Sequence, residues 1–362
     1  MGRWDWMAGH QATRQEPTEG IVSASYTLNH LVQAGLVGPQ DAADFRDQTG
    51  LADFVWRVFW PQLASGGEPD AEVMARARGL VIFMHGWDGS HAIWEQIPAL
   101  VCAANPRLVA LAADVNGFGG SPFADELPPI GTCDPAADMA AVERWIELLG
   151  LRSSQRATRR LRVITLVGHS MSGAALFYLD ESRWRPHEVG RLAVSPALLI
   201  NDGLRKSFYK ALGVGIWAGS AAETLGWLKT RLAPSIVEML IGAASRAVKA
   251  EHVRVFNATP KGVLAQTFFA MGATPRPLKP HHWRHFRVVL GHKDRLVGVK
   301  PMLDLLEELE FASDQVRVVL GDHYHFSVSN QSRRLHLRNR RIVIKGILAM
   351  HEACSRGLSE NA

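Results

Sequence analysis

Cysteine is scarce in this chain: Cys102, Cys133 and Cys354 are the only three among 362 residues. The number is odd and no two sit at metal-ligand spacing, so a disulfide-stapled scaffold and a thiolate metal site are both disfavoured. A reducing compartment is expected, with the cytoplasm as the default location. Long apolar runs are also missing. No stretch reaches the roughly 18 residues a membrane-spanning helix needs, and the opening Met1-Gly-Arg-Trp-Asp-Trp6 lacks the apolar core of a secretory signal. Strong charge of one sign is absent as well, the formal net charge being +5. Arginines do cluster, at Arg156 to Arg162 and at Arg333 to Arg341, but without interleaved aromatics. They read as a solvated loop and as the outer face of a last helix, so no nucleic-acid partner is expected. What remains is 47% hydrophobic and 21% charged, an ordinary globular composition, long enough for one large α/β domain with an insertion or for two domains.

The stretch that organises the rest is Leu166-Val-Gly-His-Ser-Met-Ser-Gly173. A β-branched apolar run, 161–167, precedes it and reads as a strand buried on both faces; 174–179 reads as helix. A serine flanked by small residues between strand and helix is a nucleophile-elbow pattern, in which a tight reversal holds the hydroxyl above the sheet. Gly168 and Ser172 are the small neighbours here. The bland reading is a serine N-cap at an ordinary strand–helix turn.

Other strands are expected at 53–60, 79–84, 107–113, 192–196, 286–290 and 315–320, with helices over 132–149, 302–309 and 335–351. Strands alternating with helices imply a parallel, doubly wound sheet with right-handed crossovers. The strand at 79–84 ends in His85-Gly86-Trp87, a turn suited to lending a backbone N–H to an oxyanion hole; Trp87 and Met171 would be the donors. The glycines after Asp114 fail as a phosphate-binding fingerprint, because Pro122 stands where a third glycine is required and no helix opens there. His281, His282 and His285 have no carboxylate or cysteine at ligand spacing, so no metal is expected. The strand at 286–290 runs into Asp294, and Gly321 to Phe326 offers His323 and His325.

On these residues the sequence resembles the α/β-hydrolase superfamily, in its capped branch of esterases, C–C bond hydrolases and cofactor-free haloperoxidases. The matching pieces are His85-Gly86-Trp87, the run Asp114 to Ser121, Gly168 to Ser172, Gly291 to Val297 and Gly321 to Phe326. The resemblance covers about residues 53–200 and 284–350; Ser172 departs from it where the family usually has glycine. It implies a Ser-Asp-His order of triad residues: Ser170 as nucleophile, Asp294 as acid with Asp202 as competitor, and His325 as base with His323 as alternative. His325 is favoured because His325-Phe326-Ser327 resembles the corresponding stretch of some capped hydrolases, and because four residues separate it from the strand end.

The expected organisation is an N-terminal helical extension over 1–50, the hydrolase core over 51–200 and 281–362, and a helical cap over 201–280. Trp217, Trp227, Phe268 and Phe269 of that cap would line an apolar substrate pocket. The expected activity is hydrolysis of a carboxylic ester, or a related acyl bond, of an apolar small molecule through an acyl-enzyme and without a cofactor. The alternatives are C–C bond hydrolysis on the same residues, or a hydrolase-fold ligand-binding protein whose triad is vestigial. Substrate identity and oligomeric state are not encoded in any motif.

Overall fold

Strands that are apolar at every position can lie only where both faces are covered, and here such strands form the middle of a sheet. The computed structural model describes residues 15–18, 20–62, 77–129, 131–151, 163–184, 187–219, 224–241, 244–277, 283–327 and 333–360. The Arg156–Arg162 cluster, His281 and His282 lie outside the described residues, as does the side chain of Trp227.

Nine strands pair in one sheet: β1 Gln15–Thr18, β2 Ile21–Thr27, β3 Val55–Pro61, β4 Gly79–Met84, β5 Leu108–Ala113, β6 Val163–His169, β7 Glu188–Val194, β8 Phe286–Gly291 and β9 Val316–Val319. Their order is β1-β2-β3-β5-β4-β6-β7-β8-β9. The last six in that order are parallel, and β1, β2 and β3 add on antiparallel at one edge. Side chains of β4 alternate between the two layers. Leu80, Ile82 and Met84 join a cluster with Met139, Val142 and Trp145 of helix α4 (Pro135–Leu148), whereas Val81 and Phe83 join Ile97 of α3 (Ile97–Ala104) and Val343 and Ile347 of α11 (Arg333–Glu360). The α4 helix starts where Asp134 caps it, its carboxylate accepting the Ala137 N–H, with Pro135 at the first position.

The N-terminal region differs from the helical extension expected for 1–50. It holds two short helices, α1 Leu28–Gln33 and α2 Pro39–Thr49, but its first described part is strand and belongs to the sheet. β2 pairs residue for residue with β3, setting Tyr26 opposite Trp56 with the rings stacked 6.0 Å apart. At the middle of β2 stand Ser23, Ala24 and Ser25, which carry little apolar signal, and the pairing with β3 is a long-range choice.

Between β7 and β8 stand four helices: α6 Gly203–Gly219, α7 Thr224–Ile241, α8 Arg246–Ala258 and α9 Lys261–Ala273. They supply side chains to a cavity above the C-terminal ends of the parallel strands, where open α/β sheets bind their ligands. The remaining helices are α5 Ser170–Ala175, directly after β6, and α10 Val299–Glu308, between β8 and β9. No helix among the described residues is long and apolar enough to cross a membrane.

Candidate active site

β6 ends at His169 and α5 begins at Ser170, with no residue between them to make the turn. The reversal is carried by Ser170 itself, in left-handed backbone conformation at φ +52°, a region non-glycine residues occupy only when their surroundings compel it. A β-carbon on Gly168 would lie 2.3 Å from the Ser172 carbonyl oxygen, so only glycine permits the turn. Ser172, the departure from the family pattern, is accommodated because its hydroxyl donates to Asp138 Oδ2 at 2.8 Å in the α4 layer behind the elbow. Burial pushes the Asp138 carboxyl up to about 7, the Ser172 bond opposing that rise.

The turn after β4 presses on the elbow from the side. A β-carbon on Gly86 would sit 2.6 Å from Ser170 Cβ, which brings the Gly86–Trp87 backbone against the serine. His85 holds that turn from within: its Nε2 accepts the Val115 N–H at 2.9 Å and its Nδ1 lies 2.6 Å from the Gly86 carbonyl, so the ring is neutral with the proton on Nδ1. Burial, the leading cause, pulls its pKa down. Trp87 anchors outward, its indole N–H donating to Thr267 Oγ1 at 3.0 Å and its ring 4.5 Å from Phe268, both on α9. Met171 stands in the first turn of α5, where backbone N–H groups have no intrahelical acceptor. The glycine run after Asp114 serves the same frame: Asp114 accepts from Gly120 N at 2.8 Å and from His91 Nδ1 at 2.8 Å.

Asp294 and His323 come from the ends of β8 and β9. A β-carbon on Gly291 would meet the Asp322 carbonyl at 2.0 Å, so the absence of a side chain lets the two loops lie together. Lys293 N–H donating to Gly321 O at 2.8 Å then ties them. In this frame His323 Nδ1 is 2.8 Å from Asp294 Oδ2, both side chains being buried. The other carboxylate oxygen accepts from Leu296 N at 3.0 Å and Val297 N at 3.1 Å. Burial pushes the Asp294 carboxyl up, but the neighbouring His323 and these hydrogen bonds outweigh it and hold the group below the usual range. Ser170 and His323 line the same cavity.

His325, the expected base, is elsewhere. Its ring is fully buried at the edge of Phe326, 5.7 Å between centroids, and neither ring nitrogen has a hydrogen-bond partner among the described residues. Burial drives it down to about 3, so it stays neutral. The geometric reason is that Gly321 turns the chain at once, at φ +132°, and tight turns follow, with Ser327 N donating to Tyr324 O at 2.9 Å. His323 and Tyr324 therefore face the cavity while His325 and Phe326 enter the core. A four-residue return loop is not needed. Asp202, the competing acid, is the N-cap of α6: its Oδ1 accepts from Arg205 N at 3.0 Å and its Oδ2 pairs with the Arg205 guanidinium.

About 540 Å³ of unoccupied space, part of it open to solvent, lies among the cavity's lining residues. Of the cap residues expected to line it, Phe268 does so, beside Tyr209, Val237, Ile241 and Met271. Trp217 and Phe269 instead line an outer groove with Leu127, Pro128 and Pro129, and Trp217 is half exposed. Helical spacing separates Phe268 from Phe269 by about 100° around α9, which is enough to send neighbours to opposite sides. Three further lining residues, Asp88, His252 and Tyr324, carry polar groups that the motifs did not single out. The one available signal was that Asp88 sits in the turn immediately after Trp87.

Comparison with curated proteins finds no match. Among solved structures, an esterase from Thermogutta terrifontis is similar at 16% identity with a TM-score of 0.53, over 76% of this chain and 91% of that one. An esterase from Exiguobacterium antarcticum is similar at 15% identity and a TM-score of 0.54, covering 74% and 92%. The enol-lactonase from Burkholderia xenovorans aligns at 14% identity and a TM-score of 0.53, covering 83% and 96%. At such identities the likeness establishes the fold. The family description "Alpha/beta hydrolase family" matches residues 81–334, which include the turns that bear Trp87, Ser170, Asp294 and His323 and the four helices between β7 and β8, and the chain belongs to that family.

Proposed function

We propose that the protein is a serine hydrolase that cleaves a carboxylic ester of a small molecule, with Ser170 as nucleophile, His323 as base and Asp294 as its orienting acid. The observation that carries this reading is that Ser170, at a strained elbow, lines one cavity with a histidine whose Nδ1 lies 2.8 Å from a buried carboxylate. With Nδ1 donating to Asp294, the Nε2 lone pair of His323 is free to take the serine proton. Ser170 Oγ attacks the ester carbonyl, and the Trp87 and Met171 N–H groups receive the developing oxyanion. The alcohol leaves with the proton from His323. Water, deprotonated by the same imidazole, then releases the acid and regenerates the serine. Esterases and a lactonase among the structural neighbours agree with acyl transfer to water. Phe268, Val237, Ile241 and Met271 suit an apolar acyl or alcohol portion.

The test is hydrolysis of 4-nitrophenyl esters of increasing acyl length by the parent and by Ser170→Ala. The parent is expected to turn over at least one length, and the variant to lose roughly three to six orders of magnitude in kcat, the upper figure being that of the subtilisin serine. A Ser170→Ala protein keeping half the parent rate would overturn the assignment.

A further inference from the structure

Asp88 follows Trp87 in the turn after β4, in left-handed conformation at φ +55° and fully buried, and it is one of the residues around the cavity that holds Ser170. Neither of its oxygens has a hydrogen-bond partner among the described residues. The other buried acids of the site behave differently. Asp294 is bonded by His323 and two backbone N–H groups, and Asp114 by His91 and Gly120. A buried carboxyl whose role is structural is expected to be paired in this way, because an unmade hydrogen bond in the interior is costly. Strain and missing partners on one cavity-lining side chain therefore point to a ligand.

The surroundings define what kind of ligand. His252 Nδ1 is 3.7 Å from Asp88 Oδ2, outside hydrogen-bond reach, and its Nε2 is taken by the Tyr324 hydroxyl at 2.8 Å. Burial drives His252 down to about 3, so it brings no positive charge. The cation whose charge acts on Asp88 is Lys229, whose ammonium is engaged by the carbonyl oxygens of Asn257 and Thr259. An ionised Asp88 would thus stand unpaired in an apolar cavity. Burial above all, with the Glu251 charge adding to it against Lys229, pushes the carboxyl well above its ordinary range and so favours its protonated form. A neutral carboxyl offers one O–H donor and one carbonyl acceptor side by side. Its complement is an uncharged group that both accepts and donates.

We propose that Asp88 is a specificity-determining residue: it receives a hydroxyl group on the substrate while the ester lies at Ser170. This deepens the serine-hydrolase reading and rests on it. An unsubstituted alkyl chain leaves both Asp88 oxygens unmatched, and a site built to bond a polar group rejects the analogue that lacks it. An ammonium group would need the ionised form.

The experiment compares 4-nitrophenyl alkanoates, ω-hydroxyalkanoates and ω-ammonioalkanoates of three to eight acyl carbons, together with hexanoate monoesters of α,ω-diols and the matching n-alkanols. At least one hydroxylated ester is expected to exceed its alkyl counterpart at least tenfold in kcat/KM. Asp88→Leu should erase that ratio, and Asp88→Asn, which keeps a donor and an acceptor, should retain most of it. Where the parent turns the esters over, the proposal is overturned if no hydroxylated ester is preferred, if the preference survives in a folded Asp88→Leu protein, or if ammonium esters are the better substrates. Calorimetric binding of the preferred hydroxylated ester to Ser170→Ala, with and without Asp88→Leu, separates this from the parent reading. Asp88-dependent binding without parental turnover would sink the hydrolase reading alone, and turnover without discrimination would sink only the Asp88 proposal.

Discussion

Two turns meet at the cavity, the elbow after β6 and the loop after β9, and they hold their side chains by different means. At the elbow the reversal itself is local: Gly168, Ser170 and Ser172 lie within five residues, and a β-carbon on Gly168 would strike the Ser172 carbonyl. The loop after β9 is held from outside, by Gly291 and Lys293 of the neighbouring strand end and by Asp294, 29 residues from His323. A turn closed on itself fixes its side chain through sterics, whereas a turn closed on a neighbour fixes it through register. The second arrangement leaves two histidines, two residues apart, with identical local chemistry and opposite destinations.

The contrast predicts its largest effect at those histidines. His323→Gln should lower kcat on the best ester by about three to five orders of magnitude, in the range measured for single triad residues. His325→Gln should keep kcat within tenfold, its loss falling on stability because a buried ring is replaced. Steady-state kinetics beside thermal melts would read both, and an inactive, folded His325→Gln protein would reverse the assignment. The next effect is expected where the two turns proposed to hold the oxyanion touch. Gly86→Ala forces a methyl group to within 2.6 Å of Ser170 Cβ, so the Trp87 N–H must move. A fall of about 10²–10³ in kcat with little change in KM corresponds to losing one oxyanion donor; a change confined to KM would mean that the turn only shapes the pocket.

The smallest effect on turnover is expected behind the elbow. Asp138 keeps its proton in the folded state up to about pH 7, while an unfolded aspartate releases it near 4. The folded state therefore binds more protons between those values, and stability falls as pH rises from 4 to 7 and stays lower above it. Asp138→Asn leaves an acceptor for Ser172 and removes this dependence. Urea denaturation should show the variant gaining up to about 4 kcal/mol over the parent at pH 8 and little at pH 4.5. Equal differences at the two pH values would contradict a raised Asp138.

The same distinction between local and long-range closure explains what could be read from the sequence. β4 was legible to the residue, because a short run of six apolar positions rich in β-branched and aromatic residues fits a strand covered on both faces. The elbow, Asp294 at its strand end and the helical region after β7 followed from local patterns in the same way. β2 was not legible, since its alternation of serine and alanine has meaning only once Trp56 stands opposite Tyr26. His325 was favoured in the sequence for a four-residue return loop and a resemblance in His325-Phe326-Ser327, neither of which reports the pairing of His323 with Asp294. Trp217 and Phe269 were misplaced for a related reason: a helix that is apolar on several sides does not reveal which side meets the cavity. Asp88 passed unnoticed because its distinguishing property is a lack of partners, which only the folded chain displays.

The most direct test of the Ser170–His323–Asp294 account is reaction with a fluorophosphonate, followed by intact mass and peptide mapping, on the parent, His323→Gln and His325→Gln. One phosphonyl group on Ser170 is expected in the parent, formed at near-parental rate in His325→Gln and at least a hundredfold more slowly in His323→Gln. A label on another residue, an unreactive parent, or rapid labelling of His323→Gln beside an inert His325→Gln would contradict it.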